Sequence, residues 1–297
     1  MTAQTALLFE EARPRLFGLA YRMIGTYAEA EDVVQDTFAR WLAADRDTIT
    51  NAHGWLTTVC TRRAIDVLRS ARRTRTQYVG AWLPEPLHPT LVDSDDALAG
   101  SLETALLLAL ERLAPRERAA FLLAEVFGVP HEQIAATLGI GEVACRKLTS
   151  RARAKVRDSN RPERAPLGSH RAILDEFEKA LKTGDTSNLS GLLTDDVTLT
   201  ADGGGRVPAA VEPIIGRDAV MAFIARAAVW WHSYSRSLDR IAHGEAMIVR
   251  DDTGVAAVLW FGPFDRDGRA DALYVMRNPG KLGTITAPTP ASSVRDR

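Results

Sequence analysis

The chain has 297 residues, 46% hydrophobic and 25% charged, with a net charge of −1; this fits two or three folded domains and excludes a disordered or fibrous protein. Its longest apolar runs, 105–110 and 254–261, fall short of the ~20 residues that cross a bilayer, and Glu10 and Glu11 stand where an export signal needs a basic flank. A cytoplasmic protein with no membrane partner is therefore expected, and Cys60 and Cys145, far apart and outside any Cys/His spacing, suggest neither a disulfide framework nor a metal or cofactor.

From about Ala6 to Arg72 apolar residues recur at helical spacing, as in Val34, Phe38, Trp41 and Leu42 and again in Leu56, Val59, Ile65 and Leu68, predicting a helical bundle over 1–75. Within it Glu29, Glu31, Asp32 and Asp36 surround Val33, Val34 and Phe38. Asp32 and Asp36 lie one turn apart, which costs stability unless a cation faces them; the patch reads as a dock for a basic protein helix or as a solvated face. The next helix carries Trp55, Thr58, Thr61, Arg62, Arg63 and Arg69 and runs on to Arg72, Arg73 and Arg75. Cations beside an aromatic suit an opened nucleic-acid strand, which needs stacking surface and charge along its backbone. A solvated arginine-rich helix with Trp55 in the core is the plainer alternative.

Residues 76–100 break the pattern with Pro84, Pro86 and Pro89 and with Asp93, Asp95 and Asp96, the composition of an extended linker. A second helical block over 101–160 is punctuated at Ala114-Pro115, Gly128-Val129-Pro130 and Gly139-Ile140-Gly141. His131 to Val156 has the spacing of a helix-turn-helix: small Ala135 lets the helices approach, Gly139 supplies the turn, and Ile134, Leu138, Ile140, Cys145 and Leu148 fall between the helices. Its second helix offers Arg146, Lys147, Thr149, Ser150, Arg151 and Arg153 to a major groove, or forms the basic face of an ordinary helical hairpin. The near-zero net charge thus hides two basic segments, 62–75 and 146–164, each suited to phosphate.

Polar residues with Pro162 and Pro166 mark a boundary before 168, after which strand character appears. Helices are predicted at 170–182, 187–193 and 217–230, and strands at 197–201, 235–243, 245–250, 255–261 and 270–277. The region 168–285 reads as an α+β domain, a curved antiparallel sheet covered by helices, and 286–297 as a disordered tail.

The order of these parts carries a resemblance. Ala20-Tyr-Arg-Met-Ile-Gly, Ala30-Glu-Asp-Val-Val-Gln-Asp-Thr-Phe38 and the segment Gly54 to Leu68 resemble region 2 of the extracytoplasmic-function sigma factors, and Leu113 to Leu123 with the following helix-turn-helix resembles their region 4. The resemblance implies a non-catalytic subunit that binds core RNA polymerase and directs promoter-specific initiation. Glu31, Asp32, Val33, Gln35 and Asp36 would dock on the β′ clamp helices, and region 4 would meet the β flap. Trp55, Thr58, Thr61, Arg62, Arg63, Asp66 and Arg69 would open and read the −10 element of promoter DNA, with Thr61, Arg62 and Arg63 matching the turn that captures a flipped base. Arg146, Lys147, Thr149, Ser150, Arg151 and Arg153 would read the −35 duplex.

The third domain resembles the SnoaL-like cone appended to a subgroup of these factors. Trp82-Leu-Pro-Glu-Pro86, Asp202-Gly-Gly-Gly205 and Arg277-Asn-Pro-Gly-Lys-Leu282 match the subgroup, which usually has an acidic residue where Gly280 stands. Pro84 and Pro86 reduce the entropy lost when such a segment is gripped, Trp82 and Leu83 offer apolar anchors, and Gly203, Gly204 and Gly205 permit close backbone approach or a plain hairpin loop. Together with Glu85, Asp202, Asn278 and Pro279 they form an expected interdomain contact by which the cone sets the spacing of the two DNA-binding domains in cis. Such cones also include cyclases and isomerases, for which Asp202, His232 and Asp239 are the available groups. Trp230, Trp231, Tyr234, Trp260, Phe261 and Phe264 read equally as core or as the wall of a cavity for an unidentified small ligand. A duplex-binding regulator acting through the helix-turn-helix alone would leave the first domain unexplained.

Overall fold

The computed structural model describes residues 3–75, 78–91, 104–157, 168–231 and 233–286. Helices α1 (Ala3–Ile24), α2 (Tyr27–Ala43) and α3 (Ala52–Arg75) form the first bundle. Their inward stripes, including Leu16, Leu19, Met23, Val33, Trp41, Leu56, Cys60 and Leu68, are closed to solvent. Gly25 ends α1 at φ 87°.

The second block comprises α4 (Thr104–Glu111), α5 (Pro115–Phe121), a π-helical turn (Leu122–Val126), α6 (His131–Leu138) and α7 (Glu142–Arg157). Pro115 opens α5, where its missing N–H costs nothing, and Glu117 accepts a hydrogen bond from Ala114 N–H at 2.9 Å. Gly139, at φ 64°, closes α6 in the left-handed conformation that the turn requires. The two helical blocks share one continuous apolar core, and the buried Arg118 guanidinium of α5 donates to Met23 O in α1 and to Glu111, both at 2.9 Å.

The C-terminal domain contains α8 (Ser169–Thr183), α9 (Ser187–Ser190), β1 (Leu193–Asp202), β2 (Ile214–Ile215), α10 (Arg217–Trp230), β3 (Ser235–Ile241), β4 (Gly244–Asp251), β5 (Gly254–Phe261), β6 (Ala270–Met276) and α11 (Gly283–Thr286). The sheet order is β2-β1-β6-β5-β4-β3. The expected antiparallel sheet needs one correction: β1 and β6 run parallel, because α10 and the β3–β5 meander intervene and return the chain in the direction of β1. Register shifts between Leu193 and Thr198 and between Val249 and Arg250 interrupt the ladders, as bulges that curve a sheet do. The domain is thus a six-stranded mixed sheet covered by helices, in keeping with the α+β reading of 168–285.

Over β4, β5 and β6 both faces of the sheet are buried. Leu199, Met247, Val249, Leu259, Phe261 and Val275 pack with Ile173 and Phe177 of α8 and Ile224 of α10. The alternate residues Ile248, Val258, Trp260, Tyr274 and Met276 form a second cluster with Leu83, Leu282 and Leu108. This explains the near-continuous apolar reading of β5 and β6, since a strand covered on both sides has no polar face to alternate with. Asp93, Asp95, Asp96, Arg161, Arg164, His232 and the tail 287–297 lie outside the described residues. Among the described residues no helix is long and apolar enough to cross a membrane, and no His/Cys/Asp/Glu cluster could hold a metal.

Candidate nucleic-acid interface and interdomain clamp

On α2, Asp32 and Gln35 face solvent, while Glu31 accepts from Arg13 and Asp36 from Arg63, each at 2.6 Å. The acidic patch therefore already has two cationic partners within its own bundle. Val33, expected at the docking surface, lies instead in the core, because it falls on the inward stripe of α2 with Ala30, Val34 and Trp41.

On α3, Arg62, Asp66 and Arg69 are exposed, with Asp66 and Arg69 paired at 3.5 Å. Trp55 is half-buried with its ring 5.5 Å from that of Trp41. Thr61 is fully buried and its hydroxyl donates to Thr57 O at 2.7 Å, so in this arrangement it offers no surface to a base. Thr58 and Arg62 face the helix-turn-helix. The Thr58 and Thr137 hydroxyls are 2.9 Å apart, and the Arg62 guanidinium donates to Thr137 O at 2.9 Å and to Ala136 O at 3.1 Å. These carbonyls belong to the last turn of α6, where Ala136 O receives only a long bond from Gly139 N–H at 3.4 Å and the dipole favours a cation. Beside this contact Trp55, His53, Thr57 and Gln133 line an open cleft of about 670 Å3 between the two blocks.

On α7 the buried positions Cys145, Thr149, Ala152 and Val156 form one stripe, leaving Arg146, Lys147, Ser150 and Arg151 outside. Thr149 thus drops out of the expected DNA face, since its helical phase turns it inward. Arg146 pairs with Glu142 at 2.6 Å, Arg153 with Glu125 at 2.5 Å and Lys155 with Glu117 at 2.8 Å.

The three short motifs meet in one place. Asp202, wholly buried at the end of β1, accepts on one oxygen from Tyr78 OH at 2.5 Å and Gly204 N–H at 3.0 Å, and on the other from Leu83 N–H at 2.9 Å and Lys281 Nζ at 2.7 Å. Lys281 also donates to Leu83 O at 2.6 Å and stands over the rings of Trp82, at 4.3 Å, and Tyr78, at 5.2 Å. A buried charge is tolerable only when paired and hydrogen-bonded, and here both ions are. Asn278 donates to Tyr78 OH at 2.8 Å and accepts from Gly280 N–H at 3.0 Å, so this turn closes without an acidic group at position 280. Pro279 opens the same turn and is exposed. Gly204 has φ 61°, and a Cβ there would lie 2.3 Å from Asn278 Nδ2, so both conformation and space demand glycine. Lys281 and Tyr78 were not singled out from sequence; the lysine was visible only as one letter of a motif.

The linker segment held by this clamp, here called the strap, continues onto the first bundle. Glu85 N–H donates to Gly25 O at 2.9 Å, and its carboxylate accepts from Tyr27 N–H at 2.8 Å, capping α2 where the Thr26 side chain does not. Burial pushes the Glu85 carboxyl up, opposed by that hydrogen bond and by the Lys281 charge. Thr284 OH donates to Pro86 O at 2.7 Å, and Leu83, Pro84, Pro86 and Leu87 are all buried. Of the groups considered for catalysis, Asp202 is committed to the clamp and Asp239 is exposed on β3, at the opposite side of the sheet, so these two share no site.

Comparison with known proteins agrees with this layout. The Sigma-70 region 2 model matches residues 8–74 and the Sigma-70 region 4 model residues 103–156. The chain is 40% identical over 224 residues to the ECF RNA polymerase sigma factor SigJ of Mycobacterium tuberculosis, covering 73% of this chain and 70% of that protein. It is 37% identical over 240 residues to the probable ECF sigma factor SigI of the same organism, covering 72% and 83% respectively. The crystal structure of M. tuberculosis SigJ superposes with a TM-score of 0.74 at 30% identity, covering 94% of this chain and 98% of that one.

Proposed function

Because the chain belongs to the extracytoplasmic-function sigma factors, which bind core RNA polymerase and direct promoter-specific initiation without catalysing it, we propose how its residues divide that work and how its C-terminal cone governs it. Asp32 and Gln35, with Glu31 and Asp36 once released from Arg13 and Arg63, dock on the β′ clamp helices, and region 4 meets the β flap. Trp55, Thr58, Arg62, Arg63, Asp66 and Arg69 engage the −10 element as it opens; Arg146, Lys147, Ser150, Arg151 and Arg153 engage the −35 duplex.

The observation that carries the regulatory half of this reading is the Asp202–Lys281 clamp, which fixes the strap between the two DNA-binding domains to the cone. With the strap held and Arg62 bonded to α6, the −10 face and the helix-turn-helix cannot both reach DNA. Polymerase and promoter must separate them, and the clamp sets how far they separate. Run-off transcription from a promoter library with core polymerase tests this, comparing the full chain, a chain ending after Gly168, and Lys281→Met. Altered promoter output in both variants is expected; unchanged output would remove the cis role of the cone, and failure of every form to bind core polymerase would remove the residue assignments.

A further inference from the structure

The β3–β4 hairpin carries the cone into the helical domains at a second place, across the sheet from β1 and its clamp. Ile241 pairs with Gly244, so Ala242 and His243 alone form the turn. Ala242 N–H donates to Leu87 O at 2.8 Å, and its side chain packs against the core shared by the two helical blocks. The His243 ring lies 6.4 Å from that of Tyr21 in α1 and 5.9 Å from that of Trp260 in β5.

The ring is held at both nitrogens, and the group at the Tyr21 end fixes the direction of its bond. Trp260 Nε1–H can only donate, and it donates to Thr104 Oγ1 at 2.7 Å. The same Thr104 hydroxyl stands 3.1 Å from His243 Nδ1 and shares a hydrogen bond with it. At the other end Glu85 O can only accept, and it takes the Tyr21 phenol proton at 2.6 Å. The Tyr21 oxygen, 3.1 Å from His243 Nε2, must then accept from that nitrogen. Burial pushes the Tyr21 phenol well above its ordinary value, so it keeps the proton it donates. One nitrogen of the ring thus serves region 2 and the other region 4.

We infer that the Ala242-His243 turn is a second docking point of the cone, and that His243 is a positioning residue that fixes region 2 against region 4 by holding Tyr21 and Thr104 on the two nitrogens of one ring. This deepens the proposed spacing role of the cone and rests on it. The clamp grips only the strap; the hairpin grips both DNA-binding domains directly.

The test uses the full chain spin-labelled at Arg40→Cys in α2 and Ala154→Cys in α7, with the distance distribution read by double electron–electron resonance. His243→Phe keeps the ring and loses both hydrogen bonds. It is expected to raise the long-distance population roughly tenfold, the effect of losing a buried hydrogen bond. Tyr21→Phe and Thr104→Val shift the distribution the same way, and each combined with His243→Phe gives less than the sum of the two single effects, the remainder being the bonds to Glu85 O and from Trp260 Nε1; full additivity overturns the inference. Thr104→Ser, which keeps the hydroxyl, restores the original distribution, and Thr104→Val moves the 15N resonance of His243 Nδ1 while leaving Nε2 protonated. Equal broadening by Thr104→Ser and Thr104→Val assigns the effect to packing and overturns the inference. If His243→Phe changes nothing while Asp202→Asn widens the distribution, the spacing role stands and the hairpin role falls; if neither changes it, both fall.

Discussion

Lys281 and Asp202 meet at 2.7 Å with side chains 7% and 0% exposed, so each is the other's replacement for water. They lie 79 residues apart in the chain, and the bond exists only because β1 and β6 run side by side.

Removing one partner of such a pair leaves the other buried and charged. Lys281→Met should destabilise the closed arrangement by about 3–5 kcal/mol, read as a drop in the urea midpoint together with faster protease cutting of the strap. The double variant Lys281→Met/Asp202→Asn should recover part of that loss; full additivity of the two single losses would show that the pair is not coupled.

Glu85 gives the closed arrangement a pH dependence of defined sign. Its carboxyl is raised by burial, so its contribution is full below the ordinary glutamate range and is lost as pH rises through the raised value. Glu85→Gln keeps an acceptor for Tyr27 N–H and cannot ionise. The thermal midpoint of this variant should fall less than that of the parent as pH rises from about 4 toward 7, where the unperturbed glutamate near 4.3 begins to ionise. Parallel curves would exclude the Glu85 carboxyl as the source.

Much of this architecture was legible in advance. The apolar period placed α10 at its observed ends, and Ala135 and Gly139 announced the helix-turn-helix. Burial phase was harder: Val33, Thr61 and Thr149 each stand between an apolar and a polar neighbour, and which way they turn depends on helices packed from elsewhere in the chain. The clamp motifs were visible as separate strings, but the cation between two aromatic rings appears only when 78–83, 202 and 281 converge. His243 carried no signal at all, since its partners are 222 and 139 residues away.

The α7 face separates contact from support. Lys147→Ala and Arg151→Ala should each weaken binding of a −35 duplex and lower the slope of log affinity on log salt by about 1 if the residue neutralises a phosphate. Thr149→Ala should leave that slope unchanged and lower thermal stability instead, because Thr149 is buried. A Thr149 effect on the salt slope would return it to the DNA face.

Cys60 reports on the shared helical core. Burial pushes its thiol up to about 12. The neutral thiol thus favours folding below its unfolded value near 8.5, and the benefit is lost only as pH rises toward 12. Iodoacetamide at pH 8 should leave Cys60 unmodified in the folded protein and label it in urea, as read by peptide mass; rapid labelling without denaturant would show that the core opens readily.

A sheet with two dry walls also bears on inheritance. A sheet with one face in water carries its own covering and could be moved between proteins as a cassette. Here Ile248, Val258, Trp260, Tyr274 and Met276 form a wall that is roofed by the strap, by α4 and by the C-terminal turn. Cut loose, this cone would be a sticky fragment seeking another roof, through self-association or aggregation. The two halves of the polypeptide have therefore become each other's solubilising agent, and neither can be lost without stranding the other.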